Sequence, residues 1–341
     1  MKKLQLIHCG VGGFGKSWLT DFTQVSPDFE VAAIVDLTEE NLAAAGEVTG
    51  LPPERLFRTL EAALDRIPAD AVLTVTPLPV HVQHARLAFS RGLHLMTEKP
   101  FAANVEHAQE MLRLSRDAGR RLLISQNYRY NAPFVHLRKM VAGRELGELG
   151  GGHIDFYLAA DFRNACRTME FPLLVDMAIH HFDLIRNVTG RNIVKVTALS
   201  FNPPGSTFQH HAGLKMLLEL EGGAAFSYSG DWSARGRATN WSGDWRLQGS
   251  EGSIIVRNDE VVLTRSESWG KNTHEETIAI PSIPFSSRAA TLHEFAEVIR
   301  SGRPSELDGA NNLWSIGAVL AGVESARTGQ AIDVAELIAE R

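Results

Sequence analysis

The feature that most restricts how this chain can fold is a glycine-rich turn near its start, Gly10-Val11-Gly12-Gly13-Phe14-Gly15. An apolar run, Leu4–Cys9, precedes the turn, and a helix-like stretch through Trp18 and Phe22 follows it. The glycines permit a tight turn, a close backbone approach to a pyrophosphate, and close packing of the helix on the strand. Because the N–H groups at the start of that helix point toward the same place, the turn predicts a dinucleotide-binding strand–turn–helix unit.

An acidic residue lies where such a unit needs one. The apolar run 29–35 ends at Asp36, which follows Gly15 by about the 20 residues at which the fingerprint places a carboxylate for the adenosine ribose. A tight turn with a surface aspartate is the alternative, but the register of strand, turn, helix, strand and acid favours a dinucleotide. Asp36 is followed by Leu37 rather than by an arginine, which favours NAD over NADP, although Arg58 keeps NADP open.

Composition and charge are those of an ordinary globular protein. The chain has 341 residues, of which 44% are hydrophobic and 22% charged, enough for two domains. A net charge of -6 and a pI of about 6.1 argue against a general role on nucleic acid or membrane surfaces. No run approaches the roughly 18 apolar residues of a membrane span, and without a leader pattern the expected location is cytoplasmic. Cys9 and Cys166 are expected to be free thiols, and no Cys/His spacing predicts a metal site.

The order of the apolar runs predicts two domains of different architecture. Residues 1–125 alternate strand and helix, which predicts an α/β Rossmann domain with a doubly wound parallel sheet that binds NAD(P). Residues 126–341 contain runs of strands with separate helices, which predicts an α+β domain with a large, mostly antiparallel open sheet for substrate binding and oligomerisation. The uncovered face of that sheet is expected to contact a second subunit.

A lysine lies at the predicted ligand edge of the first domain. Ligands bind beyond the carboxyl ends of parallel strands, and Glu98-Lys99-Pro100 follows the fourth predicted strand. Proline restrains the preceding residue to an extended conformation, so Pro100 helps to aim Lys99. An ammonium group beside a nicotinamide would polarise a substrate oxygen and stabilise negative charge during hydride transfer. A surface lysine that merely ends a strand fits this tripeptide equally well.

A polar stripe interrupts an otherwise apolar helix in the second domain. Asp176 and His180 are spaced i, i+4, and His180 and Asp183 are spaced i, i+3, so all three lie on one face. When such a helix is buried, the polar side chains of its stripe need hydrogen-bond partners or a functional role. His180 is therefore a candidate base for a hydroxyl under oxidation, with Asp176 orienting it or the substrate. A core histidine satisfied by carboxylates is the alternative, which we favour for Asp183 and leave open for His181.

Taken together, these motifs resemble those of the Gfo/Idh/MocA oxidoreductase family, which includes glucose–fructose oxidoreductase and inositol dehydrogenase. The resemblance covers nearly the whole chain and rests on the order and spacing of the motifs. They are the glycine turn, Asp36, Thr76-Pro77 with His81, Glu98-Lys99-Pro100, Asn127-Tyr128-Arg129-Tyr130, Asp176 with His180, the segment 248–252 and the segment 325–329.

The resemblance implies that Lys99, Asp176 and His180 are catalytic. It also implies a nicotinamide cofactor, a sugar-like or polyol substrate, and a homodimer or homotetramer packed through the open sheet. In the implied reaction, His180 takes the proton of a secondary hydroxyl and Lys99 stabilises the developing alkoxide. The implied cofactor-binding residues are Gly10, Gly12, Gly13, Phe14, Gly15, Asp36, Thr76, Pro77, His81, Glu98, Lys99 and Asn127.

Substrate recognition is less sharply indicated. Beyond the catalytic residues, the candidates are Arg129, Tyr157, Arg163 and Trp232. The aromatic and arginine residues between Gly230 and Trp241 suit a sugar or a carboxylate, but a hairpin packed at a subunit interface fits them equally well. Arg163 and Arg167 also fit the pattern of solvated surface side chains.

Two classes of function fit the sequence. The first is an NAD(P)-dependent dehydrogenase acting on a sugar or polyol. The second is a catalytically silent, cofactor-binding regulator of the same fold, against which the retained Lys99 and His180 argue. The segment 170–174 lacks the glycines that many family members carry before the catalytic aspartate, so the shape of the substrate entrance is left open.

Overall fold

The computed structural model describes residues 2–159 and 165–339. The strands are β1 (Leu4–Cys9), β2 (Phe29–Val35), β3 (Leu56–Phe57), β4 (Ala71–Thr74), β5 (His94–Thr97), β6 (Leu122–Ile124), β7 (Leu149–Tyr157), β8 (Ile193–Phe201), β9 (Gly213–Leu220), β10 (Ala225–Asp231), β11 (Asp244–Gly249), β12 (Gly252–Arg257), β13 (Glu260–Ser268), β14 (Lys271–Ile278) and β15 (Ile332–Asp333). The helices are α1 (Phe14–Trp18), α2 (Glu39–Thr49), α3 (Leu60–Leu64), α4 (His81–Ser90), α5 (Val105–Ala118), α6 (Ala132–Ala142), α7 (Ile179–Thr189), α8 (Ser287–Ser301), α9 (Gly309–Thr328) and α10 (Val334–Ile338).

Contacts divide the chain into two compact units. The first comprises the residues up to Tyr130 together with Phe285–Leu313. The second comprises Asn131–Pro284 and the residues from Trp314 onward. The sequence-based division ended the first domain at residue 125 and assigned everything after it to the second, whereas in the structure α8 packs with the first unit.

The first unit is built on a parallel sheet whose strand order is β3-β2-β1-β4-β5-β6. The order reverses between β1 and β4, where Leu6 pairs with Ala71 and Cys9 with Thr74. Open α/β sheets bind ligands beyond the carboxyl ends of their strands at such a reversal. The glycine turn follows β1 and therefore begins at this point.

Helix α8 completes the core of the first unit although it is remote in sequence. Its Leu292, Phe295 and Val298 pack in one cluster with Leu6 of β1 and Phe29 of β2. The rings of Phe29 and Phe295 are stacked with centroids 5.7 Å apart. Burial of a side chain of this size stabilises the fold by about 1.5–3 kcal/mol, so α8 is held firmly beside the sheet.

The second unit contains a sheet with the strand order β14-β13-β12-β11-β7-β10-β9-β8-β15. Every neighbouring pair is antiparallel except β7 and β10, which run parallel. Together with the parallel sheet of the first unit, this confirms the predicted fold class, a Rossmann domain and an α+β domain with a large, mostly antiparallel sheet.

The two faces of the second sheet differ in character. In β9, Leu214, Met216 and Leu218 are buried, while Lys215 and Leu217 between them are exposed. The exposed face also carries Leu199 of β8, which is 66% exposed, and Leu217 is 63% exposed. The alternation is that of a sheet covered on one side only.

Two helices contain a π-helical segment where the sequence pattern predicts continuous α-helix. Helix α1 continues as a π-helix over Leu19–Thr23, and the predicted helix 172–188 begins as a π-helix over Leu173–Ala178 before α7. Hydrophobic periodicity does not distinguish the two forms over so few residues, and π-helical turns recur at functional sites. Among the described residues, no helix is both long and apolar enough to cross a bilayer.

Candidate functional site

The glycine turn has the close contacts that its sequence predicts. Gly10 has a φ of 85°, and a Cβ added there would overlap the carbonyl oxygen of Val75, which follows β4. A Cβ on Gly15 would overlap the carbonyl oxygen of Gly10. Any larger residue at either position would therefore distort the turn.

The turn leaves backbone donors that can bind an anion. The N–H of Gly15 donates to the carbonyl oxygen of Gly12 at 2.9 Å, and the N–H of Lys16 donates to that of Gly13 at 3.2 Å. Within the described residues, the N–H groups of Gly12, Gly13 and Phe14 have no backbone or side-chain acceptor. Three adjacent unsatisfied donors fit the oxygens of a cofactor pyrophosphate.

Asp36 is held in place by the residues around it. Its Oδ2 accepts a hydrogen bond from the Val11 N–H at 2.9 Å, and its Oδ1 accepts bonds from Thr38 N, Thr38 Oγ1 and Asn41 Nδ2, each at 3.0 Å. Burial opposes ionisation, but these hydrogen bonds outweigh it and lower the pKa of Asp36. Because Oδ2 accepts only one of these bonds, it retains capacity for a ribose hydroxyl. Arg58, the residue that kept NADP as an alternative cofactor, forms an ion pair with Glu39 at 3.1 Å.

The segment with Lys99 is anchored through its neighbour Glu98. The buried Glu98 carboxylate accepts hydrogen bonds from Trp18 Nε1 at 2.8 Å and from the Lys99 N–H at 3.1 Å. Burial raises the pKa of Glu98. Trp18, at the end of α1, thus connects the helix of the glycine turn to the backbone of Lys99. Trp18 was not among the predicted site residues, since nothing in the spacing links residues 80 positions apart.

His81 is placed differently from the other predicted cofactor residues. It is 2% exposed, with Nε2 2.9 Å from the Thr76 carbonyl oxygen and Nδ1 3.3 Å from that of Phe101. Burial lowers its pKa, which keeps the ring neutral. His81 therefore connects the Thr76-Pro77 loop to the segment after Pro100. Its effect on cofactor binding would be indirect, through the positions of those two segments.

Asn127 and Arg129 also differ from one another in placement. Asn127 Nδ2 donates to Ser287 Oγ at the start of α8, at 2.9 Å. Arg129 is only 6% exposed, and its guanidinium donates to the Glu306 carbonyl oxygen at 3.2 Å and to Asn311 Oδ1 at 3.4 Å. These contacts hold the Arg129 guanidinium within the first unit, and its contact with a substrate stays a prediction.

In the second unit, Asp176 and His180 lie on either side of a change in helical form. Asp176 belongs to the π-helical segment Leu173–Ala178, and His180 to the first turn of α7. Asp176 is half-buried, and its Oδ2 accepts a hydrogen bond from Cys166 Sγ at 3.4 Å. His180 is 6% exposed. The thiol contact orients the Asp176 carboxylate and was not foreseen, since Cys166 was considered only as a free thiol.

His181 and Asp183 are parts of the core. The His181 ring lies 2.9 Å from the Tyr228 hydroxyl and 3.0 Å from the Trp241 carbonyl oxygen. Asp183 accepts a hydrogen bond from Ser315 Oγ at 2.8 Å. Both residues are almost completely buried, so the structural role that was favoured for Asp183 and left open for His181 fits both.

Replacing His181 with leucine should make the fold less sensitive to acid. Burial lowers the pKa of His181 from 6.5 to about 4, so the unfolded chain binds the proton more readily. The histidine's contribution is therefore complete above pH 6.5 and is lost as the pH falls toward 4, by about 3 kcal/mol at most. At neutral pH the variant should be about 1–3 kcal/mol less stable, because Tyr228 and Trp241 lose a partner. Thermal unfolding midpoints at neutral pH and near pH 5 measure both effects, and an equal acid-induced drop in the two proteins would contradict the assignment.

Tyr157 lies on the sheet face opposite the acid–histidine helix, and Trp232 is buried. Tyr157 lies on the exposed face of the second sheet, where its hydroxyl accepts a hydrogen bond from Lys215 Nζ at 3.0 Å. The opposite face carries Tyr228, which contacts His181 of α7. Trp232 is 1% exposed and stacks on Phe208 with centroids 5.8 Å apart. Their roles as substrate contacts stay predictions, and Arg163 lies outside the described residues.

The sheet order, the glycine turn and the Asp36 carboxylate, which is placed to bind a ribose, are those of a Rossmann oxidoreductase with an additional α+β unit. Two family models match the chain: "Oxidoreductase family, NAD-binding Rossmann fold" over residues 5–126, and "GFO/IDH/MocA C-terminal domain" over residues 134–255. This chain belongs to the GFO/IDH/MocA oxidoreductase family, which confirms the resemblance drawn from the motifs. Its first unit is thus an NAD-binding Rossmann domain.

Individual relatives are similar along nearly their whole length. The uncharacterized protein y4oX of Sinorhizobium fredii is 24% identical, covering 98% of this chain and 96% of that protein. A D-apiose dehydrogenase of Paraburkholderia graminis is also 24% identical, covering 100% of this chain and 92% of that protein. Among solved structures, an oxidoreductase from Agrobacterium radiobacter in complex with NAD+, L-tartaric acid and magnesium superposes with a TM-score of 0.87 at 19% identity, covering 98% of this chain and 99% of that one.

Proposed function

We propose that this oxidoreductase reversibly oxidises a secondary alcohol of a sugar, a cyclic polyol or a related small molecule. The observation that carries the proposal is the hydrogen-bonded connection from Trp18 through Glu98 to Lys99, which holds an amine-bearing residue at the ligand edge of an NAD-binding sheet. The D-apiose dehydrogenase relative supports a sugar-like substrate. When bound, NAD supplies the hydride acceptor.

The proposed roles follow from the chemistry of three side chains. His180 accepts the hydroxyl proton, since imidazole is a suitable base near neutral pH. The Lys99 ammonium stabilises the negative charge that develops on the same oxygen. Asp176, itself oriented by the Cys166 thiol, holds either His180 or a substrate hydroxyl. A silent regulator would have no need of Lys99 and His180, so their presence favours the enzyme.

The proposal extends to the organisation of the protein. The first unit, which includes Phe285–Leu313, binds the cofactor, and the second unit binds the substrate and forms the oligomer. The exposed Leu199 and Leu217 on the open sheet support a homodimer or homotetramer that covers this face. Cys9 and Cys166 are not joined in a disulfide, which supports a reducing, cytoplasmic location.

A substrate screen tests the function directly. The purified protein is offered a panel of aldoses, cyclic polyols and dihydrodiols with NAD+ and, separately, with NADP+, and reduction of the nicotinamide is followed by absorbance. We expect turnover with at least one alcohol and a preference for NAD+. Tight NADH binding with no turnover across the panel would favour the silent regulator instead.

Replacing Asp36 with serine should weaken NAD binding by about tenfold, because the carboxylate no longer accepts the ribose hydroxyls. Binding of NADP should weaken less or improve, since the negative charge that would repel a 2′-phosphate is removed. Calorimetric titration with both cofactors measures the two affinities. The control is Glu40→Gln, which removes an exposed carboxylate from the first turn of α2. Equal NAD affinity in Asp36→Ser and the parent protein would overturn the assignment.

A further inference from the structure

Arg288, near the start of α8, lies against the helix that follows the glycine turn. Its guanidinium carbon is 4.6 Å from the ring centroid of Phe14, 4.2 Å from that of Phe22 and 5.5 Å from that of Trp18. Its Nη1 donates a hydrogen bond to Ser17 Oγ at 2.8 Å. These contacts fix the cation at the helix that begins with Phe14.

The residues that the structure describes provide no ion-pair partner for Arg288. No carboxylate among the described residues lies within 4.0 Å of its guanidinium. Burial lowers its pKa, and the charges of Glu98 and Asp21 only partly offset that effect. By contrast Arg300, on the same helix, pairs with Asp28 at 2.7 Å. A half-buried arginine without such a partner has a charge left for a ligand.

The ring beneath Arg288 belongs to the anion-binding turn itself. Phe14 is 56% exposed, and its N–H is one of the three adjacent donors that lack an acceptor within the described residues. In the part of the chain that the structure describes, a cation without a carboxylate partner and three N–H groups without an acceptor lie in one region, and all favour a negatively charged ligand. Motif spacing does not point to Arg288, because it lies more than 270 residues beyond Ser17.

We propose that Arg288 is a further cofactor-binding residue whose guanidinium balances the charge of the NAD diphosphate across the Phe14 ring. The inference rests on the proposed use of NAD and adds a residue from α8 to the site. Arginine suits the role because its planar guanidinium stacks on aromatic rings while retaining its charge. The bond from Asn127 to Ser287 fixes the adjacent start of α8 and so helps to position Arg288.

The competing explanation is that Arg288 makes only a structural cation–π contact between α8 and α1. Variants that keep or remove the positive charge at position 288 distinguish this explanation from cofactor binding. Arg288→Met removes the charge but keeps an apolar side chain of similar length, and Arg288→Lys keeps the charge. Arg300→Met is the matched control on α8, because it removes an arginine already neutralised by Asp28. Arg288→Gln is a second neutral variant in case the methionine variant does not fold.

The readouts are the dissociation constants of NADH and ADP-ribose at low and high salt, together with the thermal midpoint of each protein. We expect Arg288→Met to weaken both ligands about tenfold and to flatten their salt dependence, while Arg288→Lys stays within about threefold of the parent. Arg300→Met should lower the midpoint without changing either affinity. Unchanged affinities in Arg288→Met and Arg288→Gln, or equal losses in the lysine and neutral variants, would overturn the proposal while leaving the function intact. Failure of the parent protein to bind NADH would instead overturn the proposed function.

Discussion

Replacing Lys99 with methionine should lower kcat about 10²–10⁴-fold while leaving the affinity for NADH within about threefold of the parent protein. Methionine has a similar length but cannot stabilise negative charge on a substrate oxygen. Glu98 retains its bond from Trp18 in this variant, so the backbone around position 99 should stay in place. Steady-state kinetics on the alcohol found in the screen give kcat, and fluorescence titration gives the NADH affinity.

The separation of turnover from binding makes this result informative. Lys139→Met, at an exposed position on α6, is the control for removing a lysine in general and should leave kcat unchanged. If Lys99→Met lost NADH affinity as strongly as turnover, Lys99 would be a cofactor-binding residue and not a catalytic one. Full activity in Lys99→Met would remove the lysine from the mechanism.

Replacing His180 with asparagine should lower kcat for alcohol oxidation by a similar factor, about 10²–10⁴-fold, because the hydroxyl proton loses its acceptor. In the parent protein, oxidation should become faster as the pH rises, since only the neutral imidazole can accept a proton. That rise should disappear in the variant. Initial rates across a pH series, at saturating NAD+, measure both effects.

The adjacent histidine provides the matched control. His181 is held by Tyr228 and Trp241 in the core, so its replacement by leucine should affect stability and leave the pH profile of turnover in place. The two variants thus separate a proton acceptor from a packed side chain at neighbouring positions. A pH profile that is lost in the His181 variant and retained in the His180 variant would reverse the assignment.

Local patterns predicted those parts of the molecule in which neighbours along the chain determine the structure. Gly10, Gly15 and Asp36 were identified because the motif spacing already specifies a turn, a close contact and a carboxylate. The alternation of strand and helix predicted the parallel sheet, and the run of strands predicted the mostly antiparallel one.

Contacts between distant segments were not predictable in the same way. Arg129 was predicted as a substrate contact, and the sequence did not indicate its partners Glu306 and Asn311, which lie far along the chain. Trp232 was considered as a substrate contact or an interface residue, and the sequence did not indicate that it is buried and stacked on Phe208. Hydrophobic period and residue type do not indicate which remote segment will cover a given side chain.

We propose that Lys99 and His180 act on one substrate oxygen in one chemical step. The most direct test is the single-turnover rate of NADH formation in Lys99→Met, His180→Asn and the double variant. If the two side chains work as a unit, the double variant should be at most about tenfold slower than the slower single variant. The claim would be contradicted if the fold-loss in the double variant equalled the product of the two single fold-losses. A rate equal to that of the parent protein in either single variant would also contradict it.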